Sequence, residues 1–475
     1  MSYMLIGYAI LALTGLLPVG ALASLFAKRR RAWLYCSATI LAAIAVLSAL
    51  MLSHQASLTL LQIFRFYPFS ELVITLFASL LIVIDVLAYE YSTDFIAFSL
   101  FFGLSIAGML SVALANSLIT VLIGLELMGI PTVFMILTHG RRHTEAAIKL
   151  FVLGALSIAL FAFAIALVSP YDPTLSIGHL SPSPLTSGTA LIALAIVLFA
   201  ASLSTEAAVF PFNMWVPDVY EGAPGHITAM LAGLNKKVAF VAMVEVFFSM
   251  MLYSGFNFQP IFVPLAIATM FFGNLVALVQ TNVKRMMAYS SISQAGYILI
   301  GISTMTAAGL TASIFYIVAH AIMIVSAFTV ILWLAEKNMR TVDEYSGIWA
   351  KNPLAALSLT IFMLSMIGVP PLIGFIGKFL LFSSAIGANL LYLAFLGIVN
   401  SAISVYYYGR VIVSMYGGSD GEERRIRMAD SVAAAVIVLL VATVVIGIFP
   451  GFLMHASALA GNSLISTWPG PTTLP

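Results

Sequence analysis

Charge is what this chain has least of. Only 8% of its 475 residues are Asp, Glu, Lys or Arg, 62% are hydrophobic, and the mean hydropathy is +1.10. A soluble domain carries about 25% charged residues, so a soluble single-core protein is excluded. The lone cysteine, Cys36, excludes an internal disulfide and a multi-cysteine metal centre. The seven histidines show no clustered ligand spacing, and no serine or cysteine has an obvious base beside it. The net charge of +2 comes from basic residues scattered over short loops, which leaves no footprint for nucleic acid. No basic segment precedes the first apolar run, so residues 3–27 read as a spanning helix rather than a cleavable signal. No extramembrane domain is evident, and any redox or nucleotide chemistry belongs to a partner.

What is present is a succession of apolar runs of about 20 residues, the length that crosses a bilayer as a helix. Fourteen are predicted, giving an all-α polytopic membrane protein. The loops between them alternate in charge. One set carries Lys28, Arg29, Arg30, Arg31, Arg141, Arg142, Lys284, Arg285, Lys337, Arg340, Lys351, Arg424, Arg425 and Arg427, which is 14 of the 20 basic residues; the other carries Arg65 alone. The excess of Lys and Arg places the first set in the cytoplasm. Both termini are then external, as an even number of spans requires. The longest external loop, Ser169 to Ser187, holds four prolines and has no assignable chemistry.

Two spans are interrupted. The seventh runs into Pro211-Phe212-Asn213-Met214-Trp215-Val216-Pro217, and the twelfth into Gly368-Val369-Pro370-Pro371-Leu372-Ile373-Gly374. They lie five spans apart, and an odd offset reverses the direction of crossing. Spans 4–8 and 9–13 are therefore expected to be inverted repeats, with a transport site at the breaks. The expected division is 1–92 (spans 1–3), 93–253 (first repeat), 254–416 (second repeat) and 417–475 (a loop, span 14 and a tail).

Ionisable residues at membrane depth are the candidates for chemistry, because each costs free energy unless it is paired, hydrated or neutral. They are Glu126 in span 5, Lys149 near the start of span 6, Glu206 at the end of span 7, Lys236 in span 8, His320 in span 11 and Lys378 just after the second break. In order they read as a file of acids and bases, which is what a proton wire through lipid requires. Lys149 is also placed to snorkel to the surface. Lys236 and Lys237 point about 100° apart on one helix, so one of them is expected to face the polar interior. His320 fits a proton relay or a satisfied core histidine. Glu245 fits a pairing or a relay role.

At these residues the chain resembles the chain N antiporter-like membrane subunits of proton-pumping NADH–quinone oxidoreductase, respiratory complex I. The resemblance runs from about Phe95 to Tyr416. It is carried by Gly124-Leu125-Glu126-Leu127-Met128, Glu145-Ala146-Ala147-Ile148-Lys149, Trp215-Val216-Pro217-Asp218-Val219-Tyr220-Glu221-Gly222-Ala223-Pro224, Val283-Lys284-Arg285-Met286-Met287-Ala288-Tyr289-Ser290-Ser291-Ile292 and Gly374-Phe375-Ile376-Gly377-Lys378-Phe379. It implies fourteen helices with two inverted five-helix repeats. It also implies a polar axis of Glu126, Lys149, Lys236 and Lys378 that moves protons when quinone is reduced elsewhere. The implied cofactors are none in this subunit, with quinone and redox centres in partner subunits. The implied partners are other membrane-arm subunits in the cell membrane.

Two positions depart from the family pattern. Glu206 stands where the family usually has a lysine, and Asn213 where it has the histidine of Pro-Phe-His. Either Glu206 pairs with Lys236 or Lys237, or the first half-channel has degenerated and only the Lys378 half conducts. The departure also points to an electron donor other than NADH. Three other functions fit the same residues: a multi-subunit cation/proton antiporter, a membrane subunit of a hydrogenase-type complex, and a non-conducting spacer.

Overall fold

The computed structural model describes residues 2–27, 30–177, 189–254, 257–418 and 425–466. Lys28, Arg29, Arg424 and positions 178–188 of the proline-containing loop lie outside the described residues. The chain is helical throughout, apart from one short hairpin. Its helices are α1 (Ser2–Ala27), α2 (Arg30–Ser53), α3 (Pro68–Tyr91), α4 (Phe95–Ala113), α5 (Leu118–Leu137), α6 (Thr144–Val168), α7 (Thr189–Glu206), α8 (Trp215–Gly222), α9 (Gly225–Met230), α10 (Lys236–Ser254), α11 (Gln259–Leu278), α12 (Val283–Ser303), α13 (Ala307–Glu336), α14 (Ile348–Lys351), α15 (Pro353–Ile367), α16 (Ile373–Gly387), α17 (Leu391–Tyr416), α18 (Asp430–Ile448) and α19 (Gly451–Ser466).

Among the described residues eleven helices are long and apolar enough to cross a membrane, and three shorter apolar ones, 190–206, Pro353–Ile367 and Ile373–Gly387, belong to the interrupted spans. The chain is thus an all-α polytopic membrane protein. Helix is the form that satisfies every backbone group where no water is available. Two features were not expected. Strands β1 (Leu58–Leu60) and β2 (Phe64–Phe66) pair antiparallel in the loop after α2. The presumed C-terminal tail contains α19, which packs on α3, α10 and α13 through Leu453, Ala456, Ala460 and Leu464. Its apolar residues recur every three or four positions, a pattern too short to be counted as a span.

The loops gather into two sets, as their charges imply. At one end Ser117 bridges Ser176, Phe64 bridges Ala115, and Arg65 N–H donates to the Leu114 carbonyl. At the other end Asn282 bridges Thr341, Lys284 donates to the Ala223 carbonyl, and Ile426 N–H donates to the Lys351 carbonyl. The second set holds the described basic loop residues other than Arg65.

Both breaks have a local cause. Proline lacks the N–H that continues a helix and clashes with the preceding turn. In the first, α7 stops at Glu206 and the chain restarts as α8, and the Thr205 carbonyl accepts from the Trp215 indole N–H at 2.9 Å as well as from Ala208 N–H at 3.2 Å. In the second, α15 ends in Gly368 with φ +97°, the left-handed conformation that glycine adopts without strain. Gly368 N–H donates to the Ser365 carbonyl and Val369 N–H to Leu364, the usual closure of a helix end. Helix α16 then starts so close to α15 that a Cβ on Gly374 would lie 1.8 Å from the Ser365 carbonyl oxygen. Helices α10, α12 and α13 form the buried centre between these two breaks.

Candidate functional site

The twelfth-span break leaves the last carbonyls of α15 without helical partners. Lys378, one turn into α16, supplies one. Its Nζ donates to the Ile367 carbonyl at 2.9 Å and to Ser401 Oγ at 2.8 Å, and Ser401 Oγ donates to the same carbonyl at 2.8 Å. The end of a helix also carries partial negative charge, which favours a cation there. The ammonium lies 4.4 Å from the centre of the Tyr297 ring. A hydrogen bond to a charged group is worth about 1.5–3 kcal/mol, so the lysine is held in place in a site that is nearly closed to the outside.

From Lys378 a file of polar side chains runs through the centre. Tyr297 and Tyr316 have ring centres 6.3 Å apart, and Tyr316 lies parallel to His320 at 6.4 Å. The Tyr316 hydroxyl donates to Gln294 Oε1. His320 is fully buried, and neither ring nitrogen has a hydrogen-bond partner among the described residues. It lies within electrostatic reach of Lys237, Lys236 and Lys378. A buried imidazole without partners costs free energy, which disfavours the satisfied-core reading.

On the other side of His320, a π-helical turn, Leu231–Asn235, joins α9 to α10 immediately before Lys236. Such turns are frequent at functional sites. Lys236 Nζ donates to the Ser291 carbonyl at 2.7 Å and to Ser291 Oγ at 3.2 Å. Lys237 is buried as well, and its Nζ has no partner among the described residues. Both lysines are thus buried, and of the two Lys236 is the one held by polar partners among the described residues. The packing of α10 against α4, α5, α7, α13 and α19 encloses both.

Glu126 and Glu206 form a second group. They line one cavity of about 270 Å³ between α5, α6 and α7, with Gly129, Phe151 and Gly154. No ion pair joins Glu206 to Lys236 or Lys237 among the described residues, and Lys236 is instead held by Ser291. The expected pairing is not formed: Glu206 ends α7 and turns toward α5 and α6, whereas Lys236 turns toward α12.

Lys149 belongs to neither group. Its side chain is 38% exposed and pairs with Glu145 and Asp218, each at 2.7 Å. Asp218 also pairs with Arg285 at 2.9 Å, and Arg285 with Glu221 at 2.9 Å. The axial position implied for Lys149 is thus corrected to a surface ion-pair network between α6, α8 and α12. Snorkelling brings the ammonium to that network. The single file of alternating acids and bases resolves into three groups: a lysine–histidine–lysine axis, an acid pair, and this network.

Two buried acids were not singled out in the sequence, and a third, Glu245, has a partner that was not. Glu71 and Asp85 on α3 are fully buried; Asp85 accepts from the Ser37 hydroxyl, and both Glu71 oxygens lack a partner among the described residues. The rule that flagged Glu126, an acid inside an apolar run, would have found both. Glu245 Oε1 accepts from the Tyr67 hydroxyl at 2.8 Å, a partner 178 residues away that no local pattern reveals. Among the described residues no group of three or more His, Cys, Asp or Glu could hold a metal ion.

Residues 115–404 match the family described as NADH:quinone oxidoreductase/Mrp antiporter, TM. NADH-quinone oxidoreductase subunit N of Heliobacterium modesticaldum is 36% identical over 401 residues, covering 82% of this chain and 84% of that protein. F(420)H(2) dehydrogenase subunit N of Methanosarcina mazei is 37% identical over 372 residues, covering 75% and 76%. A chain of respiratory complex I from Thermus thermophilus superposes with a TM-score of 0.81 at 27% identity, over 95% of this chain and 99% of that one. A chain of the Mrp complex from Dietzia sp. has the same fold, with a TM-score of 0.88 at 21% identity over 96% and 97%. With the matched segment spanning both breaks and the whole lysine–histidine–lysine axis, the chain belongs to the NADH:quinone oxidoreductase/Mrp antiporter family of membrane subunits.

Proposed function

We propose that this chain is the proton-translocating, N-type membrane-arm subunit of a complex I-like quinone oxidoreductase. The observation that carries the reading is Lys378. It is buried, held by a carbonyl at a broken helix end, and followed by Tyr297, Tyr316 and His320, with His320 within electrostatic reach of Lys236 and Lys237. A lysine tied to a helix break moves when the break moves. Displacing α16 against α15 would strip its hydrogen bonds and change its hold on a proton, which couples a mechanical step to proton release. His320 takes the proton between the lysines. The chain carries no redox centre of its own in this reading; quinone and electron carriers belong to partner subunits.

The inverted repeat is part of the same reading. Span 4 is α4 and span 8 is α9–α10, while span 9 is α11 and span 13 is α17. The two closest helix pairings are α4 with α5 and α11 with α12, which are corresponding positions. The pairings of α6 with α7–α8 and of α13 with α15–α16 correspond as well. Counting each interrupted span once, and α18 last, gives fourteen spans. The basic loop set faces the cytoplasm, both termini face outward, and the protein resides in the cell membrane. In this arrangement Glu126, Glu206, Lys236, His320 and Lys378 carry protons, and Lys149 fixes α8 to its neighbours. Two acids lining one cavity repel when both are charged, so they are suited to sharing and passing one proton. That favours a working first half over a degenerate one. The likeness to a subunit named for F(420)H(2) supports a donor other than NADH. Substrate-driven pumping by the intact complex in proteoliposomes, wild type against Lys378→Ala, tests the reading.

A further inference from the structure

Three of the seven histidines meet at the end of the molecule that holds Arg141, Arg142 and Lys284, although they come from separate segments. His139 lies in the loop after α5, His143 just before α6, and His226 at the start of α9. The rings of His139 and His226 are 4.8 Å apart, and those of His139 and His143 are 6.4 Å apart. Exposure falls along the series: His143 is half-buried, His139 is buried, and His226 is almost fully enclosed.

Resting on the reading above, we propose that His143, His139 and His226 form a proton-collecting relay that feeds the first half of the chain from its basic face. The hydrogen bonds suit a relay. His143 Nδ1 donates to the Gly222 carbonyl at 2.5 Å and its Nε2 accepts from Arg142 Nε at 2.9 Å, so a second proton enters at Nε2 when the exposed Arg142 side chain swings away. His139 Nδ1 faces the Met135 carbonyl at 3.0 Å, so its Nε2 accepts from the Ser92 hydroxyl at 3.1 Å. A hydroxyl both donates and accepts, so Ser92 can turn to accept when His139 takes a second proton. His226 has no hydrogen-bond partner at either nitrogen among the described residues. A phenyl ring would fill the same slot against Phe98, 5.2 Å away, without leaving two polar atoms unsatisfied.

The charged groups around the three rings are Arg142, Lys284 and Asp94, with no carboxylate bonded to any of them. His139, outside the spans, is held below the ordinary imidazole range, chiefly by burial, so it gives up a proton readily. Inward of His226 the same helical run leads in nine residues to Asn235, whose Nδ2 donates to Thr132 at 3.1 Å, and then to Lys236.

The test uses the intact complex in proteoliposomes, with the basic face outward, and follows the initial pumping rate per electron against external pH. The variants are His226→Phe, His226→Gln and His143→Ala, with wild type and Lys378→Ala alongside. The expected result is a rate loss on the order of tenfold at about pH 8, where protons are scarce, that narrows toward pH 6. External imidazole should restore His143→Ala, which a packing defect would not allow. If wild type pumps and Lys378→Ala does not, while the histidine variants keep the wild-type rate and pH profile, the relay is wrong and the transport reading stands. Should His226→Phe fail to assemble, His143→Ala without rescue by imidazole overturns the relay equally. A wild-type complex that reduces quinone without pumping overturns both.

Discussion

Gly374 offers the sharpest perturbation of the break that holds Lys378. A Cβ there would sit 1.8 Å from the Ser365 carbonyl oxygen. An ordinary carbon–oxygen contact is about 3.3 Å, so Gly374→Ala forces α16 and the end of α15 apart by about 1.5 Å. The obstacle is backbone, which cannot swing aside as a side chain would. Overpacking of this kind costs about 1–3 kcal/mol. The separation also stretches the 2.9 Å bond from Lys378 to Ile367, which spans the same two helices. A misplacement of about 1 Å at a reacting group slows a step by about a hundredfold. Gly387, on the same helix, has nothing within 4 Å of its would-be Cβ and serves as the control. In the purified complex Gly374→Ala should lower the midpoint of thermal unfolding and the protons pumped per electron, and Gly387→Ala should change neither. Wild-type pumping and stability in Gly374→Ala would refute the claim that this close approach positions the lysine.

Two other perturbations separate the remaining groups. If Glu126 and Glu206 share one proton across their cavity, Glu126→Gln and Glu206→Gln should each reduce pumping, and the double variant should lose no more than the worse single one. Additive losses in that cycle would mean that the acids act independently. Glu344, exposed in a loop, accepts from the N–H groups of Arg340 and Thr341, both at 2.7 Å, and these bonds hold its carboxyl below the ordinary value of 4.5. A group whose pKa is depressed in the folded state stabilises above its unfolded value and loses that effect as pH falls through the folded one. The protection factors of the Thr341 and Arg340 amides, taken against the intrinsic exchange rate at each pH, should therefore hold above pH 4.5 and fall as the pH drops through the depressed carboxyl pKa, with Glu344→Gln already less protected at neutral pH.

Much of this was legible in the residues, for reasons that can be named. The all-α membrane class and both breaks follow from apolar length and proline chemistry, which are local. Lys378 and His320 were visible because ionisable groups inside apolar runs are rare. What failed depended on direction. That Lys149 could snorkel was readable from its place near a helix start, but its partner Asp218, 69 residues on, was not. Glu206 was matched to lysines by charge, yet α7 turns it toward Glu126. The meeting of His139, His143 and His226 had no sequence signal, since the nearest two are four residues apart and the third is 83 further on.

The central claim is that the lysine beside the second break carries protons. It is tested most directly by proton pumping in proteoliposomes that contain the intact complex, comparing wild type with Lys378→Ala and Glu206→Ala at matched assembly. The account predicts that Lys378→Ala lowers the protons moved per electron while the complex remains assembled, and that Glu206→Ala lowers them too. A Lys378→Ala complex that pumps at the wild-type ratio would contradict it and leave the chain as a non-conducting spacer.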